Sequence, residues 1–202
     1  MIISHKYKFI FIKTRKTAGS SISNVLRKYL GPTDIADGDW VDGLEPYNVT
    51  YEKNRMDGHQ TCKWIAKSFP KEWDTYYKFT IERNPWEKVI SGYNFYKQID
   101  VKGLPDTITE FLTWEKKKWI PVDWGWYTVN SQVVVDQIID YSNLHNDFKD
   151  LMEKLNVPYE NELGQTRMKQ YSDKKVYAYT EEDHKLIKSL FRNEIRHFGY
   201  SW

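Results

Sequence analysis

At 202 residues the chain is long enough for one ordinary domain with a substantial core, with or without an inserted subdomain, and it requires no second domain. A formal net charge of +2 is too small to hold nucleic acid by bulk electrostatics, so nucleic acid is not an expected partner. The single cysteine, Cys62, excludes a disulfide within the chain and supplies no zinc spacing, which points to a reducing compartment and a small buried thiol.

The opening residues Met1-Ile-Ile-Ser-His-Lys-Tyr-Lys8 run almost at once into the first strand and leave no room for a secretion leader. No stretch reaches the roughly 18–20 apolar residues of a membrane helix, so a soluble, cytoplasmic protein with no membrane partner is expected. Phe9 to Ile12 reads as a buried strand. It stops at Lys13-Thr-Arg-Lys-Thr-Ala-Gly-Ser-Ser21, after which a helix continues to about Leu30. Ala18, Gly19, Ser20 and Ser21 leave backbone N–H groups uncovered at the positive end of that helix, and such donors suit a phosphate or sulfate. Lys13, Arg15 and Lys16 are expected to add full charges at the mouth. In the nucleotide loop G-x-x-x-x-G-K-[ST] the lysine follows the second glycine. Here Lys16 precedes Gly19 and no glycine opens the loop, which counts against a nucleotide kinase.

Residues 31–58 are rich in Asp, Gly, Pro and Asn and read as a long irregular excursion, of the kind that is usually functional or mobile. Cys62, Ile65, Ala66 and Phe69 then recur at helical spacing until Pro70. Tyr76 to Ile81 is a second core strand, stopped at Glu82-Arg-Asn-Pro85, where Asn84 as cap and Pro85 at the first position start a helix to about Ile99. Its inward stripe is Val89, Ile90, Tyr93 and Tyr96 or Lys97. A helix over 107–118, an aromatic loop over 119–131, a third apolar run over 133–141 and an amphipathic helix over 144–155 follow. The last helix spans 180–197, opened by Thr180 with acids at Glu181, Glu182 and Asp183. Strands alternating with helices imply an α/β fold with a central parallel sheet flanked by helices.

Arg83 ends the second strand, and Ser91 lies two turns into the helix after it. On a helix, positions 84 and 91 share a face, so Arg83 and the Ser91 hydroxyl can converge on a second anion.

Lys16-Thr-Ala-Gly-Ser-Ser21 resembles the 5′-phosphosulfate loop of sulfotransferases, commonly Pro-Lys-Thr-Gly-Gly-Thr-Ser, with Arg15 where that family usually has proline. Phe79-Thr-Ile-Glu-Arg-Asn-Pro-Trp-Glu-Lys-Val-Ile-Ser-Gly-Tyr93 is similar to the 3′-phosphate motif of the carbohydrate (Golgi-type, heparan-like, family 2) branch. Glu82 departs from that motif, since an apolar residue is usual there. The likeness continues more weakly through residues 138–148 and 195–200, with Asp140 and Ser142 replacing the usual Arg and Glu.

The resemblance implies a single sulfotransferase-like domain over 1–202 with a P-loop-like, three-layer fold. The implied donor is 3′-phosphoadenosine 5′-phosphosulfate, with no metal. Cofactor binding would fall to Arg15, Lys16, Thr17, Ala18, Gly19, Ser20, Ser21, Arg83 and Ser91, with Arg167 joining from the polar stretch Gln165-Thr-Arg167.

Sulfuryl transfer needs charge stabilisation and a base. Lys16 is the candidate for the first and His59, between the two phosphate motifs, for the second; Glu52, Asp57 and Glu82 are alternative bases. Trp114, Trp119, Trp124, Trp126 and Tyr127, with Lys116 to Lys118, are candidates for a wall facing a glycan or other small-molecule acceptor. His5, His145, His184 and His197 read as surface or packing residues. The oligomeric state is not readable, and a noncatalytic binding protein remains an alternative.

Overall fold

The computed structural model describes residues 1–36, 59–161, 163 and 178–202. Glu52, Asp57, Arg167 and most of the expected excursion at 31–58 therefore lie outside the described residues. In chain order the elements are β1 (Ile2–Ser4), β2 (Phe9–Ile12), α1 (Gly19–Arg27), β3 (Ile35–Ala36), α2 (Cys62–Ser68), α3 (Pro70–Thr75), β4 (Tyr77–Glu82), α4 (Pro85–Gln98) and α5 (Ile108–Thr113). They continue with β5 (Thr128–Val129), β6 (Gln132–Val133), β7 (Gln137–Asp140), α6 (Leu144–Lys154), α7 (Glu181–Leu190) and α8 (Arg192–Phe198). The chain forms two compact units, Met1–Glu82 with Gly125–Met168, and Arg83–Trp124 with Lys169–Trp202.

The first unit is built on a five-stranded sheet in the order β3-β1-β2-β4-β7. β2 runs parallel to β4, and β4 parallel to β7, with Phe11 opposite Phe79 and Phe79 opposite Gln137. β1 is antiparallel to both β2 and β3, so the sheet is mixed, and the expectation of an all-parallel sheet is corrected. The reason is the short connection at residues 5–8, closed by Lys8 at a φ of 57°. A link this short can only return the chain antiparallel, whereas parallel neighbours need a crossover of a dozen or more residues. Buried Asp34 fastens this edge, accepting hydrogen bonds from Ser4 Oγ at 2.6 Å, from the backbone N–H of His5 at 2.7 Å and from that of Gly31 at 3.0 Å.

Alternation along β2 sends Phe9 and Phe11 into a cluster with Ile22, Val25 and Leu26 of α1 and Phe148, Leu151 and Met152 of α6. Ile10 and Ile12 enter a second cluster with Cys62 and Ile65 of α2. Helices thus cover both faces, which is why β2 reads as a continuous apolar run. Each fully buried side chain of this kind contributes about 1.5–3 kcal/mol. Pro70 ends α2 as expected, and it also opens α3 from the first helical position, where its missing N–H costs nothing.

In the second unit, Asn84 Oδ1 accepts from the backbone N–H of Trp86 at 3.1 Å and Pro85 begins α4. Of the expected stripe, Val89, Tyr93 and Tyr96 are buried, Ile90 is half-buried and Lys97 is exposed. Val89, Tyr93 and Tyr96 pack with Trp86, Ile108, Phe111, Leu112, Ile187 and Phe191. Lys88 is fully buried on the same helix, 3.2 Å from an equally buried Asp123. The helix expected over 107–118 stops at Thr113, and a separate 3₁₀ turn follows at Lys117–Trp119. The last helix is two, α7 and α8, meeting at buried Phe191 (φ −105°, ψ 25°), which ends one and starts the other. Thr180 opens α7 as expected, and it forms a capping box with Asp183.

Candidate active site

β2 delivers the chain to the basic loop with its root pinned. The Thr14 hydroxyl donates to the carbonyl of Ile81 at the end of β4, and Thr80 Oγ1 donates to the carbonyl of Ile12 at 2.7 Å. Thr17 is buried and its hydroxyl donates to the Thr14 carbonyl at 3.1 Å, so it shapes the loop from within. Between these anchors Lys16 and Ala18 both adopt φ 61°, a left-handed conformation that costs a non-glycine residue roughly 1–2 kcal/mol. The pinned root supplies what holds it there.

Ala18 is the N-cap of α1 and offers no side-chain hydrogen bond, and the first turn carries no acid. The backbone N–H groups of Gly19, Ser20 and Ser21 therefore begin the helix without a capping side chain. Ser20, Ser21, Arg15 and Lys16 are half-buried around them. Lys13 is a correction: expected at the mouth, it is 2% exposed, and its stem runs beneath Gly19. A Cβ at position 19 would stand 2.6 Å from Lys13 Cγ, which is why the position is glycine. A Thr-bound, left-handed turn with an uncapped nine-residue helix and flanking cations fits the phosphosulfate end of the implied donor.

His59 lies against this loop. Its Nδ1 is 2.9 Å from the carbonyl oxygen of Lys13. A carbonyl only accepts, so Nδ1 carries the hydrogen and the lone pair of the neutral ring is on Nε2. The imidazole also packs on Trp126, with ring centroids 5.4 Å apart, and the Arg15 guanidinium lies 4.8 Å from the Trp126 ring centre. Glu82, an alternative base, is fully buried and its carboxylate accepts from Tyr127 Oη at 2.9 Å.

In the second unit Arg83 immediately precedes the Asn84 cap and donates from Nε to Glu87 at 3.1 Å. Ser91 is half-buried on α4. The aromatic wall divides. Trp114 and Trp119 pack against the core of their own unit, Trp124 meets His197 edge to face, Tyr127 holds Glu82, and Trp126 meets the loop. His5 is bonded to Tyr76 and His184 to Trp86 Nε1, as packing residues are. Sequence reasoning placed Trp126 in an acceptor wall and missed its contacts with Arg15 and His59, because aromatic density alone does not say which ring faces which neighbour. Among the described residues no group of three or more His, Cys, Asp or Glu gathers as a metal site, and no helix is long and apolar enough to cross a membrane.

A mixed, helix-flanked sheet that feeds an uncapped basic loop beside a tautomerically fixed histidine defines an α/β protein built to handle an anionic group. The chain belongs to the sulfotransferase family, whose model matches residues 1–201, and the general chemistry of that family is sulfuryl transfer. It is also 39% identical over 95 residues to an uncharacterized protein of Archaeoglobus fulgidus, a match covering 45% of this chain and 76% of that relative. No solved structure matches the chain.

Proposed function

We propose that this sulfotransferase moves a sulfuryl group from 3′-phosphoadenosine 5′-phosphosulfate to a hydroxyl of a carbohydrate or other small polar acceptor, on a P-loop-like fold. The observation that carries the reading is the juxtaposition of the uncapped loop of Lys16 to Ser21 with a histidine whose Nδ1–H is held by the Lys13 carbonyl.

The donor, when bound, supplies an activated sulfuryl group on a good leaving phosphate. The amides of Gly19, Ser20 and Ser21 bind the 5′ end. Arg83 and Ser91 hold the 3′-phosphate in this reading, and Arg167 is proposed to contact the nucleotide. Lys16 meets the charge that grows on the leaving oxygen, a preorganised contact strongest where charge develops. His59 takes the acceptor's hydroxyl proton on Nε2, and the Lys13 carbonyl stabilises the imidazolium that results.

Thermal unfolding with 3′-phosphoadenosine 5′-phosphate, compared with Mg-ATP, tests the donor. At about 100 times its Kd a ligand adds about 2.7 kcal/mol, which at this chain length raises Tm by roughly 5–10 °C. A shift with Mg-ATP and none with the bisphosphate would sink the reading in favour of a nucleotide kinase.

A further inference from the structure

Resting on the reading of the loop and His59 given above, we propose that Trp126 is a positioning residue that clamps the basic loop and the base to one another. Two contacts converge on its ring, and one of them lies beside a strained residue. The Arg15 guanidinium is 4.8 Å from the indole centre, the His59 ring is 5.4 Å away at 51°, and Arg15 is the residue next to Lys16 with its left-handed φ of 61°. The Lys13 carbonyl fixes where Nδ1 sits. The tilted indole beside the imidazole restricts rotation of the ring about that hydrogen bond and so the direction of Nε2.

Trp126 is itself held from behind. It ends a 3₁₀ turn at Trp124–Trp126, and the next residue, Tyr127, is fully buried with its hydroxyl on Glu82. Thr128 follows in β5, opposite Val133, and its carbonyl accepts from Cys62 Sγ at 3.5 Å. Arg15 has no ring to fix its φ. Stacking of a cation on an aromatic face supplies a constraint there through a side chain from a distant segment.

The test has one readout that needs no donor and one that needs turnover. Amide hydrogen exchange of residues 15–18 in the unliganded protein should rise about tenfold in Trp126→Ala, a loss within reach of one desolvated cation–π contact. Trp126→Phe should restore most of the protection, and Arg15→Leu should reproduce the loss. The ¹⁵N signals of the His59 ring should show the Nδ1–H tautomer in the native chain and in Trp126→Ala alike, since the Lys13 carbonyl sets it, while the order parameter of the ring C–H groups should fall in Trp126→Ala. In turnover, Trp126→Ala should lower kcat with little change in the acceptor KM, and should cost less when added to His59→Ala than alone, as expected of a residue that acts in part through another.

Native exchange and a native ring order parameter in Trp126→Ala overturn the clamp, as does a full additional kcat loss in the double variant. Should the alanine variant fail to fold, Trp126→Leu against Trp126→Phe decides the same point, because leucine fills space without a π face. Failure of the native chain to bind the bisphosphate would remove the proposed donor, while the exchange and ring measurements would still decide the clamp.

Discussion

Gly19 has no room for a side chain because Lys13 passes beneath it, with Cγ, Cε and Cδ all within 3.3 Å of where a Cβ would stand. Gly19→Ala should therefore cost about 1–3 kcal/mol as an overpacked site, seen as a lower urea midpoint. Combining it with Lys13→Ala should recover much of that loss, and equal penalties in the two backgrounds would show that Lys13 is not the obstacle. For turnover, Lys16→Ala and His59→Ala should each lower kcat by at least about a hundredfold; full kcat in His59→Ala would move the base to a carboxylate. The candidates Lys16, Gly19 and His59 can be named from residue type and order alone. The burial of Lys13 and the hydrogen bond from His59 to its carbonyl cannot, since a backbone acceptor has no letter in the sequence and a lysine reads as solvated by default.

That default also hides the best-buried charge pair in the second unit. Periodicity picked out Val89, Tyr93 and Tyr96 on α4 but passed over Lys88, whose partner Asp123 lies far along the chain, although both are fully buried and 3.2 Å apart. Removing one partner leaves the other charged and desolvated, so Lys88→Met should destabilise by about 3–5 kcal/mol. Lys88→Met with Asp123→Leu should be markedly milder than the sum of the single variants. Simple additivity in denaturant titrations would mean that the two groups do not depend on one another. Elements with a physical punctuation mark were readable: Asn84 and Pro85 open α4, and Thr180 with Asp183 opens α7. The break between α7 and α8 at Phe191 carries no proline or glycine, and tertiary packing of that buried ring decides it. β1 is three residues long, too short for an alternation to declare itself, and its omission is why the sheet was expected to be parallel throughout.

Across the chain, folding opposes the ionisation of two weak acids among the described residues, one in each unit. Burial pushes the Cys62 thiol up in the first unit. In the second, burial and then the nearby Asp183 charge push up the Tyr179 phenol, whose hydroxyl donates to the Trp86 carbonyl. Folding therefore holds protons that the unfolded chain releases, and stability is complete below the unfolded pKa values. It falls as pH rises past about 8.5 for the thiol and about 10 for the phenol. Each group can contribute a slope of at most about 1.4 kcal/mol per pH unit, because one proton is involved. Urea unfolding at pH 7, 9, 10 and 11 should show the midpoint falling with an unchanged m-value, and Cys62→Ala should flatten the decline between about pH 8.5 and 10 without abolishing the later one. An identical decline in Cys62→Ala would mean that other groups carry the alkaline loss, and that the thiol ionises as readily in the folded chain as in the unfolded one.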